Sequence, residues 1–149
     1  MKKIAILILF TLLSAPLLAQ ESMEKVMENR AREMYRVISL NEPDAWKKFI
    51  KENYTKALID KPMQAKRQTS DGSRSSGSSA TQEGNIEGKA AMYQMLHNDF
   101  AGGKISSLKS TGETLTMVVS GGDMTGTFTL RFSKEKPWLI DGIGIEVGN

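Results

Sequence analysis

The chain has 149 residues and a formal charge of +3, with 40% hydrophobic and 25% charged residues, which is the composition of one globular domain rather than of a disordered segment. It has no cysteine and one histidine. That excludes disulfide frameworks, thiolate metal sites, cysteine nucleophiles and histidine-rich zinc sites, and no metal or cofactor is expected.

Lys2 and Lys3 precede an apolar run over residues 4–13, followed by Ser14, Ala15, Pro16 and the small Ala19 before Gln20. This is the layout of a secretory signal peptide over residues 1–19, cut near Ala19–Gln20, although Leu17 departs from the small-x-small rule. The whole apolar stretch from Ile4 to Ala19 is 16 residues, contains Pro16 and is shorter than the ~20 residues a spanning helix wants, so no stable membrane anchor is expected. Without Lys2 and Lys3 the charge falls from +3 to +1. No basic stripe remains that would argue for nucleic acid. An exported chain without cysteine depends on its core alone.

The rest, residues 20–149, reads as one domain. Over residues 22–40, Met23, Val26, Met27, Met34, Val37 and Ile38 follow one helical face, with Ser22 as the cap. Asn41-Glu42-Pro43-Asp44 breaks the chain and starts a second helix: Asn41 can accept from the first-turn amides and Asp44 suits the positive helix end. Trp46, Phe49, Ile50 and Tyr54 share a stripe, and this helix is expected to run to residues 57–60, before Lys61-Pro62. Residues 66–85 are rich in Ser, Gly and Thr and contain no large apolar side chain, which predicts a flexible surface loop. A third helix is predicted over residues 86–100, where Ile86, Ala90, Tyr93, Leu96 and Phe100 keep helical spacing, Met92 and Met95 widen the face, and Ala101-Gly102-Gly103 stops it.

After Gly103 the period becomes alternating. Ile105 and Leu108 mark a first strand out of clean register, then Leu115, Met117 and Val119 a second, and Phe128, Leu130 and Phe132 a third. Ser133 to Pro137 turns the chain again. Trp138 and Ile140 begin a last strand, continued by Ile143, Ile145 and Val147. Its apolar parity shifts across Asp141-Gly142, which one extra residue, a bulge, would reconcile. Short polar turns predict antiparallel pairing of successive strands. The fold class is therefore α+β, with helices packed on an antiparallel meander.

Chemistry-bearing motifs are sparse. Gly72-Ser73-Arg74-Ser75-Ser76-Gly77 does not fit a nucleophile elbow. Gly84-Asn85-Ile86-Glu87-Gly88-Lys89-Ala90 has a spacer of three residues where a phosphate loop has four, and Ala90 replaces the magnesium-binding hydroxyl. Five residues remain as candidates for a pocket. His97, near Asp99, is a general base or a helix-end imidazole. Asp141 is a carboxylate that the bulge aims into a cavity, or one that faces solvent. Tyr35, Trp46 and Tyr54 line a pocket with polar tips or belong to the core. No residue is assigned a catalytic role.

The stretch from Met34-Tyr35 through Asn41-Glu42-Pro43-Asp44 to Trp46-Lys47-Lys48-Phe49 and Asn53-Tyr54, and the ending Phe128-x-Leu130-x-Phe132 to Trp138-Leu139-Ile140-Asp141-Gly142-Ile143, resemble the nuclear-transport-factor-2-like superfamily. Within it they resemble the small accessory domains fused to secreted bacterial serine hydrolases and proteases. The resemblance implies a cystatin-like cone, in which a helical layer and a curved sheet enclose an open-ended cavity, and a periplasmic or extracellular location in a bacterium. It carries no catalytic residue, because the chemistry of such proteins resides in the fused neighbour. The functions it leaves open are a non-enzymatic binding domain for a small amphipathic ligand or an envelope protein, an isomerase- or dehydratase-like enzyme using Asp141 or His97, and a regulator of an envelope hydrolase. A homodimer through the sheet face is compatible with all three.

Overall fold

A computed structural model of the chain describes residues 22–62 and 82–148. The signal peptide and its cut site, the serine motif at 72–77 and the loop expected at 66–85 up to residue 81 lie outside the described residues. The architecture is α+β: helices followed by a curved, unclosed four-stranded antiparallel sheet in the order β1-β2-β3-β4. The helices are α1 (Met23–Ser39), α2 (Pro43–Asn53), α3 (Lys56–Asp60) and α4 (Gln82–Phe100). The strands are β1 (Lys104–Thr111), β2 (Thr114–Gly121), β3 (Met124–Phe132) and β4 (Ile140–Gly148).

The helical face of α1 is buried as its spacing requires, through Met27, Ala31, Met34, Val37 and Ile38, and Ser22 caps it by accepting from the Lys25 amide at 3.3 Å. The start of α2 differs from expectation. Its cap is Glu42, without a side-chain bond, and not Asn41. Pro43 fixes the first helical position with no N–H to satisfy, so the cap moves one residue along and Asp44 supplies the negative charge near the helix start.

The second difference lies at the end of α2. The predicted continuous helix to residues 57–60 is broken at Tyr54, which is extended (φ −98°, ψ 148°) and forms a parallel bridge with Ile140. The Thr55 amide donates to the Ile140 carbonyl at 2.8 Å. Thr55 then caps a separate helix, α3, by accepting from the Leu58 amide at 3.2 Å. A contact with the sheet has overridden local helical periodicity. At the other boundary, α4 begins at Gln82, so residues 82–85 are helical and not part of a loop.

The meander pairs as predicted, and both irregularities are bulges. Ser106 is the extra residue between Ile105, opposite Val119, and Ser107, opposite Val118, which explains the broken register of β1. Asp141 is the extra residue of β4: Arg131 pairs with Gly142 and Phe132 with Ile140. Ile140 on one side of the bulge and Ile143 and Ile145 on the other therefore all turn toward the helices. Trp138 does not begin β4; it sits in the preceding loop at φ 51°, a left-handed conformation that strains a bulky residue. Gly112 and Gly122, at φ 58° and 56°, make the same kind of turn without a Cβ penalty.

The core is the layer between helices and sheet. Leu115, Met117, Val119, Phe128, Leu130 and Phe132 present one continuous buried face, each side chain contributing about 1.5–3 kcal/mol on burial. Among the described residues α1 packs mainly on β1 and β2, α4 on β2 and β3, and the five-residue α3 on β4. The apolar row of β4 outruns this cover, so Val147 is 50% exposed. Met95 is also exposed, on the side of α4 away from the sheet.

The closest approach of α4 to the sheet is at Gly126, where a Cβ would lie 2.7 Å from the Phe100 ring. Gly126→Ala should cost about 1–3 kcal/mol through overpacking, read as a lower urea midpoint, whereas Gly144→Ala, whose Cβ meets nothing nearer than 3.8 Å, should change little. Adding Phe100→Leu to Gly126→Ala should recover part of the loss relative to Phe100→Leu alone. Equal midpoints for the two alanine variants would refute this packing.

Candidate functional site

The five candidate residues separate into two groups. Three of them serve helix ends, whose last carbonyls have no partner inside the helix: Trp46 and His97 at the end of α1, and Tyr35 at the end of α4. The Trp46 indole Nε1 donates to the Val37 and Leu40 carbonyls at 2.7 and 3.0 Å. His97 Nδ1 lies 2.9 Å from the Ile38 carbonyl and, since a carbonyl only accepts, carries the hydrogen there. The Tyr35 hydroxyl donates to the Phe100 carbonyl at 3.0 Å and so ties α1 to the end of α4. The Trp46 and His97 rings lie 6.3 Å apart. These side chains knit α1, α2 and α4 together, and none of them lines the cavity described next.

Tyr54 and Asp141 do line it. A cavity of about 820 Å³ lies along the free edge of β4, a volume that accommodates a small molecule. Its helical wall is built by Leu58, Lys61 and Pro62 at α3 and by Lys89 and Met92, one turn apart on α4. Its strand wall is residues 141–145 of β4, with Thr129 and Arg131 beside them on β3. The short α3 creates this space: a longer helix would cover Ile143 and Ile145.

Asp141 is fully engaged at the rim. One carboxylate oxygen accepts from the Thr55 hydroxyl at 3.0 Å and the other from Arg131 Nη2 at 3.0 Å. The Arg131 side chain crosses Gly142 to reach it; a Cβ on Gly142 would stand 3.2 Å from the guanidinium. With Arg131 61% exposed, this pair is a surface latch and adds at most about 1 kcal/mol.

Tyr54 is buried, and its hydroxyl lies 2.7 Å from that of Tyr93. Burial pushes both phenols well above the ordinary tyrosine range; the bond from Tyr93 offsets part of this at Tyr54, whereas at Tyr93 the neighbouring Tyr54 adds to it. The pair therefore stays neutral and acts as a polar clasp between the end of α2 and α4.

Sequence reasoning passed over Lys89, which it met only as part of a rejected phosphate loop. Lys89 is 2% exposed. Its ammonium donates to the Ile59 carbonyl at 3.0 Å and the Lys61 carbonyl at 2.7 Å, the carbonyls that end α3, and burial lowers its pKa, with Asp60 opposing the shift. The signal was present: Lys89 stands three residues after Ile86 and four before Tyr93, on the apolar stripe of α4. Arg131 and Lys61 carried no such signal, because their place at the cavity depends on the pairing of β3 with β4 and on where α3 ends.

Among the described residues no cluster of three or more His, Asp or Glu side chains could hold a metal ion, and no helix is long and apolar enough to cross a membrane. Comparison with known protein families, with characterised proteins and with solved structures finds no match to this chain.

Two predictions follow from the buried polar groups. A phenol whose folded pKa exceeds its unfolded value of about 10 contributes stability that is complete below that pH and is lost as the pH rises toward the folded pKa. Urea unfolding from about pH 9 to about pH 11 should show a steeper loss of stability for the wild type than for the Tyr54→Phe/Tyr93→Phe double variant; parallel profiles would show that the pair ionises freely. Lys89→Met should leave the Ile59 and Lys61 carbonyls without their donor at a cost of about 1–3 kcal/mol, and amides of residues 56–60 should exchange hydrogen faster than those of α1. Unchanged exchange in α3 would show that Lys89 does not hold that helix.

Proposed function

We propose that this chain is an exported, non-enzymatic domain that binds a small amphipathic molecule in the cavity between β4 and helices α3 and α4, and that it is a cone of the nuclear-transport-factor-2-like type. The cavity carries the reading. Leu58, Met92, Ile143 and Ile145 give it an apolar body, while Lys61, Lys89, Arg131 and Asp141 supply a few convergent polar groups, the mixture typical of ligand sites. The order of helices and meander, the curved open sheet and the bulge at Asp141 support the cone.

Binding is favoured over turnover by what surrounds the two acid–base candidates. Both oxygens of Asp141 are engaged, by Thr55 and Arg131, and His97 faces the Ile38 carbonyl, away from the cavity residues. A general acid–base pair needs both groups within reach of one substrate. A small ligand is also favoured over an envelope protein, a partner hydrolase or a second copy. Met95 and Val147 are the large exposed hydrophobics among the described residues, and the outer face of the sheet presents Thr116, Thr125 and Thr127, which offers little apolar surface to a partner.

A thermal-shift series with single-chain amphipaths tests the reading. A ligand at 100 times its Kd should stabilise the protein by about 2.7 kcal/mol. Ile145→Asp, which places a charge in the apolar wall, should abolish the shift while the variant's own unfolding stays cooperative. No shift with any amphipath, or a shift that survives Ile145→Asp, would count against the cavity.

A further inference from the structure

The cavity carries two ammonium groups that no carboxylate among the described residues pairs. Of the four ionisable side chains at its wall other than Tyr54, Arg131 and Asp141 neutralise each other at 3.0 Å. Lys61 and Lys89 have no carboxylate within ion-pair distance among the described residues; the nearby Asp60 is bonded to Lys56 instead. Lys61 is exposed, whereas Lys89 is buried. Buried ammonium groups are ordinarily paired, because removal from water penalises the charge.

The Lys89 ammonium has three N–H donors. Two are taken by the Ile59 and Lys61 carbonyls, and the third has no protein acceptor among the described residues. Lys89 lines the cavity next to Lys61. One turn along α4, Met92 opens an apolar strip that continues through Leu58, Ile143 and Ile145.

We infer that the ligand is a free single-chain amphipath with an anionic head group, seated with the head on the Lys89 and Lys61 ammonium groups and the chain along Leu58, Met92, Ile143 and Ile145. This rests on the cavity reading above and narrows it to one charge class. A charge-assisted hydrogen bond from a partly desolvated ammonium is stronger than a neutral one, so the head group sets the specificity and the apolar strip the affinity. The enclosed placement of Lys89 favours a monomeric ligand over a membrane surface, which exposed lysines would serve better.

The experiment is isothermal titration of the purified protein with dodecanoate, dodecan-1-ol and dodecyltrimethylammonium, each below its aggregation threshold. Dodecanoate should bind at one per chain and at least tenfold more tightly than either counterpart. Lys61→Gln, at an exposed position, should weaken dodecanoate severalfold and leave dodecan-1-ol unaffected; Lys89→Met, which also loosens α3, should weaken dodecanoate at least tenfold more than it weakens dodecan-1-ol. Equal affinities for the three probes would overturn the charge assignment and leave the cavity reading standing. Binding of none would overturn both. Sedimentation with phosphatidylglycerol vesicles in place of dodecanoate binding would assign the lysines to a membrane surface and overturn the free-ligand inference.

Discussion

The docking of Thr55 on the bulge of β4 is the contact on which the rest of the cavity side depends. The Thr55 amide donates to the Ile140 carbonyl at 2.8 Å and its hydroxyl to Asp141 at 3.0 Å. The same hydroxyl oxygen accepts from the Leu58 amide. Directly after the break at Tyr54, one residue thus caps α3 and binds it to an edge strand. A sheet edge leaves backbone groups without partners, and here the turn at residues 54–55 supplies one. The bulge is what makes the docking possible, because the extra residue turns Asp141 toward Thr55 and Arg131 while Ile140 stays in the core.

From that contact the cavity follows. Because α2 stops at Asn53, the cover over β4 is left to the five residues of α3, held from the other side by Lys89 on α4. A helix continued without a break would carry its apolar stripe on in a different direction. The break instead leaves Ile143 and Ile145 half-covered, facing Leu58 and Met92 across a space. The opposite end of the helical layer is closed by Trp46, His97 and Tyr35, which satisfy the ends of α1 and α4. Among the described residues, one end of the helical layer is therefore locked by hydrogen bonds while the other leaves a space beside β4.

The polar residues inside the fold have distinct physical roles. Tyr54 and Tyr93 satisfy each other and remain neutral. Lys89 satisfies two carbonyls and keeps a donor to spare. A buried donor without an acceptor carries a desolvation cost, and the cavity beside Lys89 is large enough for a ligand to supply the acceptor.

Local chemistry in the sequence determined the α+β class, the face that α1 buries, the alternation of the two inner strands and the bulge at Asp141, because each is written in a period of 3.6 or 2 or in a break of that period. It also marked Tyr54 and Asp141. Tertiary structure alone decided the break at Tyr54, since no Gly or Pro signals it and the competing partner, Ile140, lies more than eighty residues away. It also decided that Trp46, His97 and Tyr35 serve helix ends, since aromatic spacing on one helix says nothing of which carbonyls a neighbouring helix leaves open. It brought Lys61 and Lys89 on the helices and Arg131 and Asp141 on the strands to one cavity, because a site between a strand edge and two helices exists only once the strand has found its register and the helices have stopped.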